Sequence, residues 1–216
     1  MATLVAPAPP ERLARTVLEE AGPEVLARIG DPGVAAVIWR RPRDPLLAGW
    51  IDALPPDRLP RLRGRVAARD LGAAVRDACA EAGLPFSLGR TALEADAGLL
   101  GLRFAEALGI STLDARLEVV TTDACRRFHL DRIRARLLCA WRGPGCDYGP
   151  AVGPGQVSDV SRLPTGAAAI LRGALWPDEA TGLLHRSPPI EGTGATRLLL
   201  ALDVPGDEDC ACGDCR

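Results

Sequence analysis

Residues 128–141 read FHLDRIRARLLCAW, and their patterning decides what kind of chain this is. Arg134–Trp141 (RARLLCAW) reads as a strand, and Arg132, Arg134 and Arg136 alternate with Ile133, Ala135 and Leu137 in the period-2 rhythm of one solvated face. Downstream, Arg142–Gln156 (RGPGCDYGPAVGPGQ) is punctuated by glycine and proline and reads as a long loop. Ala167–Leu171, Gly182–His185 and Thr196–Val204 then read as further short strands, as Leu113–Val120 does upstream. Several short strands separated by Gly/Pro turns indicate a β-sandwich or barrel.

Before about residue 112 the reading is mainly helical. A charged helix is expected over 11–21, with Pro23 starting a short second one. GVAAVIWR at 33–40 and the segment 61–66 read as strands. Asp44-Pro45 signals a helix start ahead of the stripe Leu46, Leu47, Trp50, Ile51 and Leu54. Another helix is expected over 68–82. Thr91 and Glu94 form a capping box for a helix carrying Leu93, Ala97, Leu100, Phe104 and Leu108 on one face, stopped by Gly109. The expected fold is α+β, an N-terminal helical or mixed layer (1–112) on a C-terminal jelly-roll barrel (113–205), then a Cys-rich tail (206–216). The three parts are expected to form one compact unit.

All 26 basic residues are arginine, and there is no lysine or asparagine. That excludes Schiff-base, pyridoxal-phosphate, Walker-loop and kinase chemistry, each of which needs a lysine. A formal charge of −2 gives no general attraction to nucleic acid or acidic membranes. No apolar run approaches the ~18 residues of a membrane span. The N-terminus has no basic leader, and the cysteines come without a signal peptide, so reduced thiols in a cytoplasm are expected.

The only two histidines are His129 and His185. Asp131 follows His129 by two positions, and in an extended chain residues i and i+2 project to one side. One short segment can therefore offer an imidazole and a carboxylate to one ion, with His185 arriving from a later strand. Two histidines and one carboxylate form the facial set of non-haem iron(II) sites. Arg197, twelve residues past His185, shares a strand face with Leu199 and Ala201, where its guanidinium could fork onto a dicarboxylate. Arg126, Arg127, Arg132, Arg134 and Arg136 crowd around His129 and read first as a solvated face, or alternatively as a rim for an anionic substrate. In the tail, Cys210, Cys212 and Cys215 are soft ligands suited to zinc or copper(I), one short of a tetrahedral structural site. Cys79 and Cys139 read as small buried hydrophobes.

The order of His-x-Asp, a glycine-rich middle, GAAAILRG, then HRSPP and an arginine-led strand resembles the double-stranded β-helix of iron(II)/2-oxoglutarate dioxygenases. The resemblance covers roughly 113–205. It implies iron(II) on His129, Asp131 and His185, and Arg197 pairing the far carboxylate of 2-oxoglutarate. The phrases RLLCAWRGPG and HRSPPIEGTGATRLLLALDV also resemble a bacterial family described only as a domain of unknown function. The chain departs from the dioxygenase pattern at Leu199, where many members carry serine. The tyrosine that often helps hold 2-oxoglutarate has no clear counterpart, although Tyr148 or Trp141 could serve.

The expected function is that of a metal-binding jelly-roll protein, an iron(II)/2-oxoglutarate-dependent oxygenase whose substrate is not specified. The alternatives are a non-catalytic zinc or iron homeostasis protein using the cysteine tail, and a barrel that only binds a partner.

Overall fold

The computed structural model describes residues 13–206. Strands β1 (Leu13–Ala14) and β2 (Thr16–Glu20) lead through a 3-10 helix at Pro23–Gly30 to β3 (Val34–Trp39). Helix α1 (Pro45–Ala53), strand β4 (Leu62–Ala67), and helices α2 (Leu71–Glu81) and α3 (Leu88–Leu108) follow. The remainder is strand: β5 (Thr112–Val120), β6 (Ala135–Arg142), β7 (Asp147–Gly153), β8 (Gln156–Val157), β9 (Ser161–Arg162), β10 (Ala168–Arg172), β11 (Ala180–Thr181), β12 (Leu183–Arg186) and β13 (Arg197–Asp203).

A seven-stranded sheet in the order β2-β3-β10-β6-β13-β5-β4 is the backbone of this mixed α/β fold. Strands from both sides of residue 112 share it. A smaller sheet, β12-β7-β8 with β9 on β7, lies apart from it in the pairing. Strand β13 shows why the large sheet reads as continuous apolar sequence. Leu198, Leu200 and Leu202 join a core with Leu71, Leu93, Leu100 and Phe104 of the helices. Leu199 and Ala201 turn the other way, joining Cys146, Leu163 and Leu183 of the second cluster. A sheet buried on both faces has no polar side to show. The second cluster is rich in alanine (Ala36, Ala140, Ala169, Ala201).

Three sequence expectations are corrected. Of the helix expected over 11–21, the described residues form strands β1 and β2 instead: β2 runs parallel to β3, with Val17 opposite Ala36. Glu20 pairs with Arg28 at 3.0 Å, and Glu19 with Arg40, so strand pairing and cross-element charges override local preference. Helix α3 begins one turn earlier than a Thr91/Glu94 box implies. Ser87 Oγ accepts from the Arg90 amide at 3.1 Å, Thr91 lies inside the helix, and Glu94 binds Arg90 at 2.7 Å. The stop at Gly109, in the left-handed region at φ 66°, is as expected. Finally, the glycine- and proline-rich stretch after Arg142 is not one loop. It contains β7, whose backbone is satisfied by β12, with Tyr148 opposite His185. At Gly149 an added Cβ would lie 1.9 Å from the Asp159 carbonyl oxygen, so that glycine marks close chain approach inside a strand.

Candidate metal centre

His129 and His185 face each other across an isolated antiparallel bridge. The His129 amide donates to the His185 carbonyl at 2.9 Å, and the His185 amide returns the bond at 3.0 Å. Directly opposed residues send their side chains to one face, and the ring centroids are 4.6 Å apart. Asp131, two residues on, projects to the same side. His129 Nε2 lies 3.5 Å from Asp131 Oδ1, and His185 Nε2 lies 3.2 Å from Asp131 Oδ2. One ligand atom from each of the three residues falls within 4.8 Å of the others.

The surroundings prepare these groups. His129 Nδ1 sits 2.8 Å from the Arg127 carbonyl oxygen, and donating there leaves Nε2 as the atom aimed at Asp131. Burial opposes charge on His129, but Asp131 and the Arg127 carbonyl outweigh it and raise its pKa. Asp131 is 2 % exposed. Burial works to raise its pKa, yet His185, His129 and Arg136 together hold the carboxyl far below the usual range. Arg136 Nη1 donates to Asp131 Oδ2 at 2.6 Å. Its Nε and Nη2 hold Asp203 at 2.6 and 2.9 Å, and Arg116 reaches Asp203 at 3.0 Å. Asp131 Oδ1 is buried without a hydrogen-bond partner. A lone acceptor facing an imidazole nitrogen is what a cation would satisfy. The donor set therefore fits an ion bound at ~2.0–2.2 Å.

Arg197 is 1 % exposed. Its Nε donates to the Pro144 carbonyl at 2.8 Å and its Nη1 to Ser187 Oγ at 3.2 Å. Nη2 is buried with no partner, and burial pushes the guanidinium below its ordinary pKa. The Gly-Pro-Gly run makes this wrapping possible. At Gly143 (φ 73°) a Cβ would sit 2.9 Å from Arg197 Cγ and 2.7 Å from the Thr196 oxygen. Cys146 belongs to the same inner cluster as Leu199. Burial pushes its thiol up to about 12, and the charges of Arg197, Asp147 and Asp131 all reach it.

The structure thus brings His129, Asp131 and His185 together and places Arg197 on the inner face of β13. Two other expectations change. Arg136 does not belong to a solvated face; it is buried and bonded to Asp131. Sequence reasoning also missed Asp203 and Ser187, although Ser187 follows His185 by the same two-residue step that links Asp131 to His129. Trp141 points to the helix-covered side, where its Nε1 donates to Asp96 Oδ2 at 2.6 Å, so it is not at this site. Tyr148 packs against the inner cluster. Cys79 and Cys139 are buried free thiols. Cys210, Cys212 and Cys215, and any zinc held there, lie outside the described residues. A separate cavity of about 320 Å³ opens between α1 and α3, lined by Arg41, Leu47, Ala92, Asp96, Leu99 and Trp141.

Fold and site together define a mixed α/β chain with a candidate two-histidine, one-carboxylate metal centre. The chain belongs to the family described as "Protein of unknown function (DUF1826)", whose model matches residues 20–203. None of the curated proteins matches it. Among solved structures it is similar to the dioxygenase for auxin oxidation 1 of Arabidopsis thaliana, solved as a 2-oxoglutarate complex. That match has 11 % identity, 90 % of this chain and 94 % of the other covered, and a TM-score of 0.48. The rice dioxygenase for auxin oxidation gives 16 % identity, 93 % and 87 % coverage, and a TM-score of 0.47. Hydroxypropylphosphonic acid epoxidase from S. wedmorenis gives 20 % identity over 43 % of each chain and a TM-score of 0.30. Among the described residues no helix is long and apolar enough to cross a membrane.

Proposed function

We propose that this protein is an iron(II)/2-oxoglutarate-dependent oxygenase built on a double-stranded β-helix. The observation that carries the reading is a pair of buried, unpartnered atoms of opposite charge. Asp131 Oδ1 lies 3.5 Å from His129 Nε2, and Arg197 Nη2 lies on the inner face of β13. The first calls for a cation and the second for an anion.

In this reading His129, Asp131 and His185 hold iron(II), and Arg197 binds the far carboxylate of 2-oxoglutarate. With both bound, the pair supplies dioxygen activation coupled to decarboxylation of the 2-oxo acid. The chain's own work is positional. The Arg127 carbonyl fixes the His129 ring, and Arg136 fixes Asp131 by one oxygen while leaving the other free. The apolar inner cluster excludes water around the guanidinium, which strengthens its hold on an anion.

Purified protein is expected to take up iron(II) anaerobically and to develop a weak visible charge-transfer band when 2-oxoglutarate is added. His129→Ala and His185→Ala should each abolish the band. If neither substitution changes metal content in protein truncated before Asp207, the triad is not a metal site. Zinc lost on that truncation, with no response to 2-oxoglutarate, would favour a zinc-handling protein instead.

A further inference from the structure

We propose that the exposed face of α3 is a self-association surface, on which a second copy of this chain docks antiparallel about a two-fold axis through Ala95. This goes beyond the oxygenase reading and does not depend on it.

Helix α3 is apolar on two sides. One side, with Leu93, Ala97, Leu100, Phe104 and Leu108, is buried in the core. The other carries Leu88, Thr91, Ala95, Leu99 and Leu102, all exposed, within an arc of about 80° at 3.6 residues per turn. Leu88 is 69 % exposed, Leu102 is 50 % exposed, and Phe86 just ahead of the helix is 81 % exposed. With Leu99 these make four of the nine large apolar side chains exposed among the described residues, so the apolar surface is concentrated here rather than scattered. A helix that is apolar all round is ordinarily covered all round, and a contiguous exposed patch marks an interaction site.

Three features name a second copy as the cover. The first is spacing. Leu88, Thr91, Ala95, Leu99 and Leu102 follow one another at steps of 3, 4, 4 and 3 residues, so the stripe reads the same in both directions from Ala95. A two-fold contact needs that symmetry, because residue i meets j where j meets i. Leu88 then packs on Leu102 of the second copy, and Thr91 on Leu99. Ala95 meets itself at the crossing, where a small side chain lets the helices approach closely.

The second feature is the cavity between α1 and α3, whose lining includes Leu47, Ala92, Ala95 and Leu99, alongside the middle of the stripe. Its charged lining groups are already engaged: Arg41 with Asp96, Arg43 with Asp52, and Asp44 with the Leu47 amide. An apolar side chain is what it can still take, and the two-fold register brings Leu99 of the second copy to its Ala92 edge. The third feature is charge. Glu106 continues the stripe in the last turn of α3, where the helix dipole disfavours a carboxylate. Antiparallel docking carries it to the start of the second copy's α3, where the dipole favours one.

The contact is one helix wide, short of the ~800 Å² per partner of a standard interface, so monomer and dimer are expected to exchange at micromolar protein. Sedimentation equilibrium of the full chain over a concentration series measures this. Ala95→Glu and Ala95→Arg each put like charges face to face at the axis and should weaken the dimer on the order of 100-fold. An equimolar mixture of the two variants should associate again, because opposite charges then meet. Leu99→Ala, which trims the stripe without adding charge, should weaken the dimer several-fold, with circular dichroism showing the helices intact in every variant. A monomer at all concentrations would leave the face to residues 1–12 or 207–216 or to another protein, and would overturn the proposal. A dimer indifferent to Leu99→Ala and to both Ala95 substitutions would also overturn it. Loss in both charged variants without recovery in their mixture would overturn the two-fold register through Ala95.

Discussion

Two largely buried polar clusters flank the large sheet, and they are built on opposite rules. On the helix-covered side, Arg41 holds Asp96 through Nη1 and Nη2 at 2.5 and 2.7 Å. Its Nε donates to the Gly166 carbonyl at 2.7 Å, and Trp141 adds a third donor to Asp96. No atom of that cluster is stranded. On the inner side, Asp131 Oδ1 and Arg197 Nη2 are buried and unpartnered. Folding alone selects against stranded polar atoms, because each costs on the order of 1–3 kcal/mol. Where they persist in a native structure, another use accounts for them. The first cluster is thus read as structural and the second as a ligand site.

The largest expected effect tests the first half of that contrast. Asp96→Ala removes the acceptor of a guanidinium and an indole at once, leaving Arg41 largely buried and unpaired. It should cost about 3–5 kcal/mol in urea denaturation, while metal uptake by the folded fraction is unchanged. A loss below about 1 kcal/mol, or a parallel loss of metal, would break the contrast. Arg197→Met should do the opposite. Stability should stay within about 1 kcal/mol of the parent, since the lost bond to Pro144 is offset by removing a buried, uncompensated cation. Affinity for 2-oxoglutarate should fall on the order of 100-fold, as when a buried charged partner of an anion is removed.

How much of this was legible beforehand follows the same division. His129, Asp131 and His185 could be read because a two-residue step along a strand is local, and because the chain has no other histidines. Arg197 could be placed on the inner face by alternation with Leu198 and Leu200. Asp203 could not, since its role depends on β13 lying beside β6, with Asp203 opposite Arg136. Arg136 itself was misread because alternation with Ile133, Ala135 and Leu137 describes a strand with one wet face. At β6 both faces of the large sheet are covered, and a charge on the second face must find a partner. The strand within 142–156 was hidden by glycines that suggest a loop, whereas Gly149 is there because a neighbouring backbone passes too close for a side chain. The strand at 16–20 was hidden for a different reason: its parallel pairing with β3 is a non-local contact.

Arg136 offers a sharper test of the inner cluster than removal of a ligand. It touches Asp131 Oδ2, which faces His185, and leaves Oδ1 free. Arg136→Gln should keep a hydrogen bond within reach but lose the charge. Metal affinity is expected to fall 10- to 100-fold, the usual consequence of losing a partner that orients a ligand. Equilibrium dialysis against a competing chelator would measure it. An unchanged affinity would mean that Asp131 needs no support, and would separate the metal centre from the Arg116–Asp203–Arg136 network.

The smallest expected effect uses two cysteines that differ only in which cluster they adjoin. Cys139 packs against Arg41, with Nη2 3.6 Å from its sulfur, and Cys146 lies within reach of Arg197 and Asp131. Burial pushes each thiol up to about 12. At pH 8 about one molecule in 10⁴ then carries either thiolate, and reaction with iodoacetamide should be slow at both; raising the pH should speed both. Peptide mass spectrometry can follow the two sites separately. Adding 2-oxoglutarate to the metal-loaded protein should slow Cys146 several-fold further, because an anion on Arg197 removes the one charge that favours the thiolate and covers its approach. Cys139, behind the sheet, should be unaffected. Equal slowing at both would report general stabilisation of the fold by ligand, and no slowing at Cys146 would place the anion seat away from Arg197.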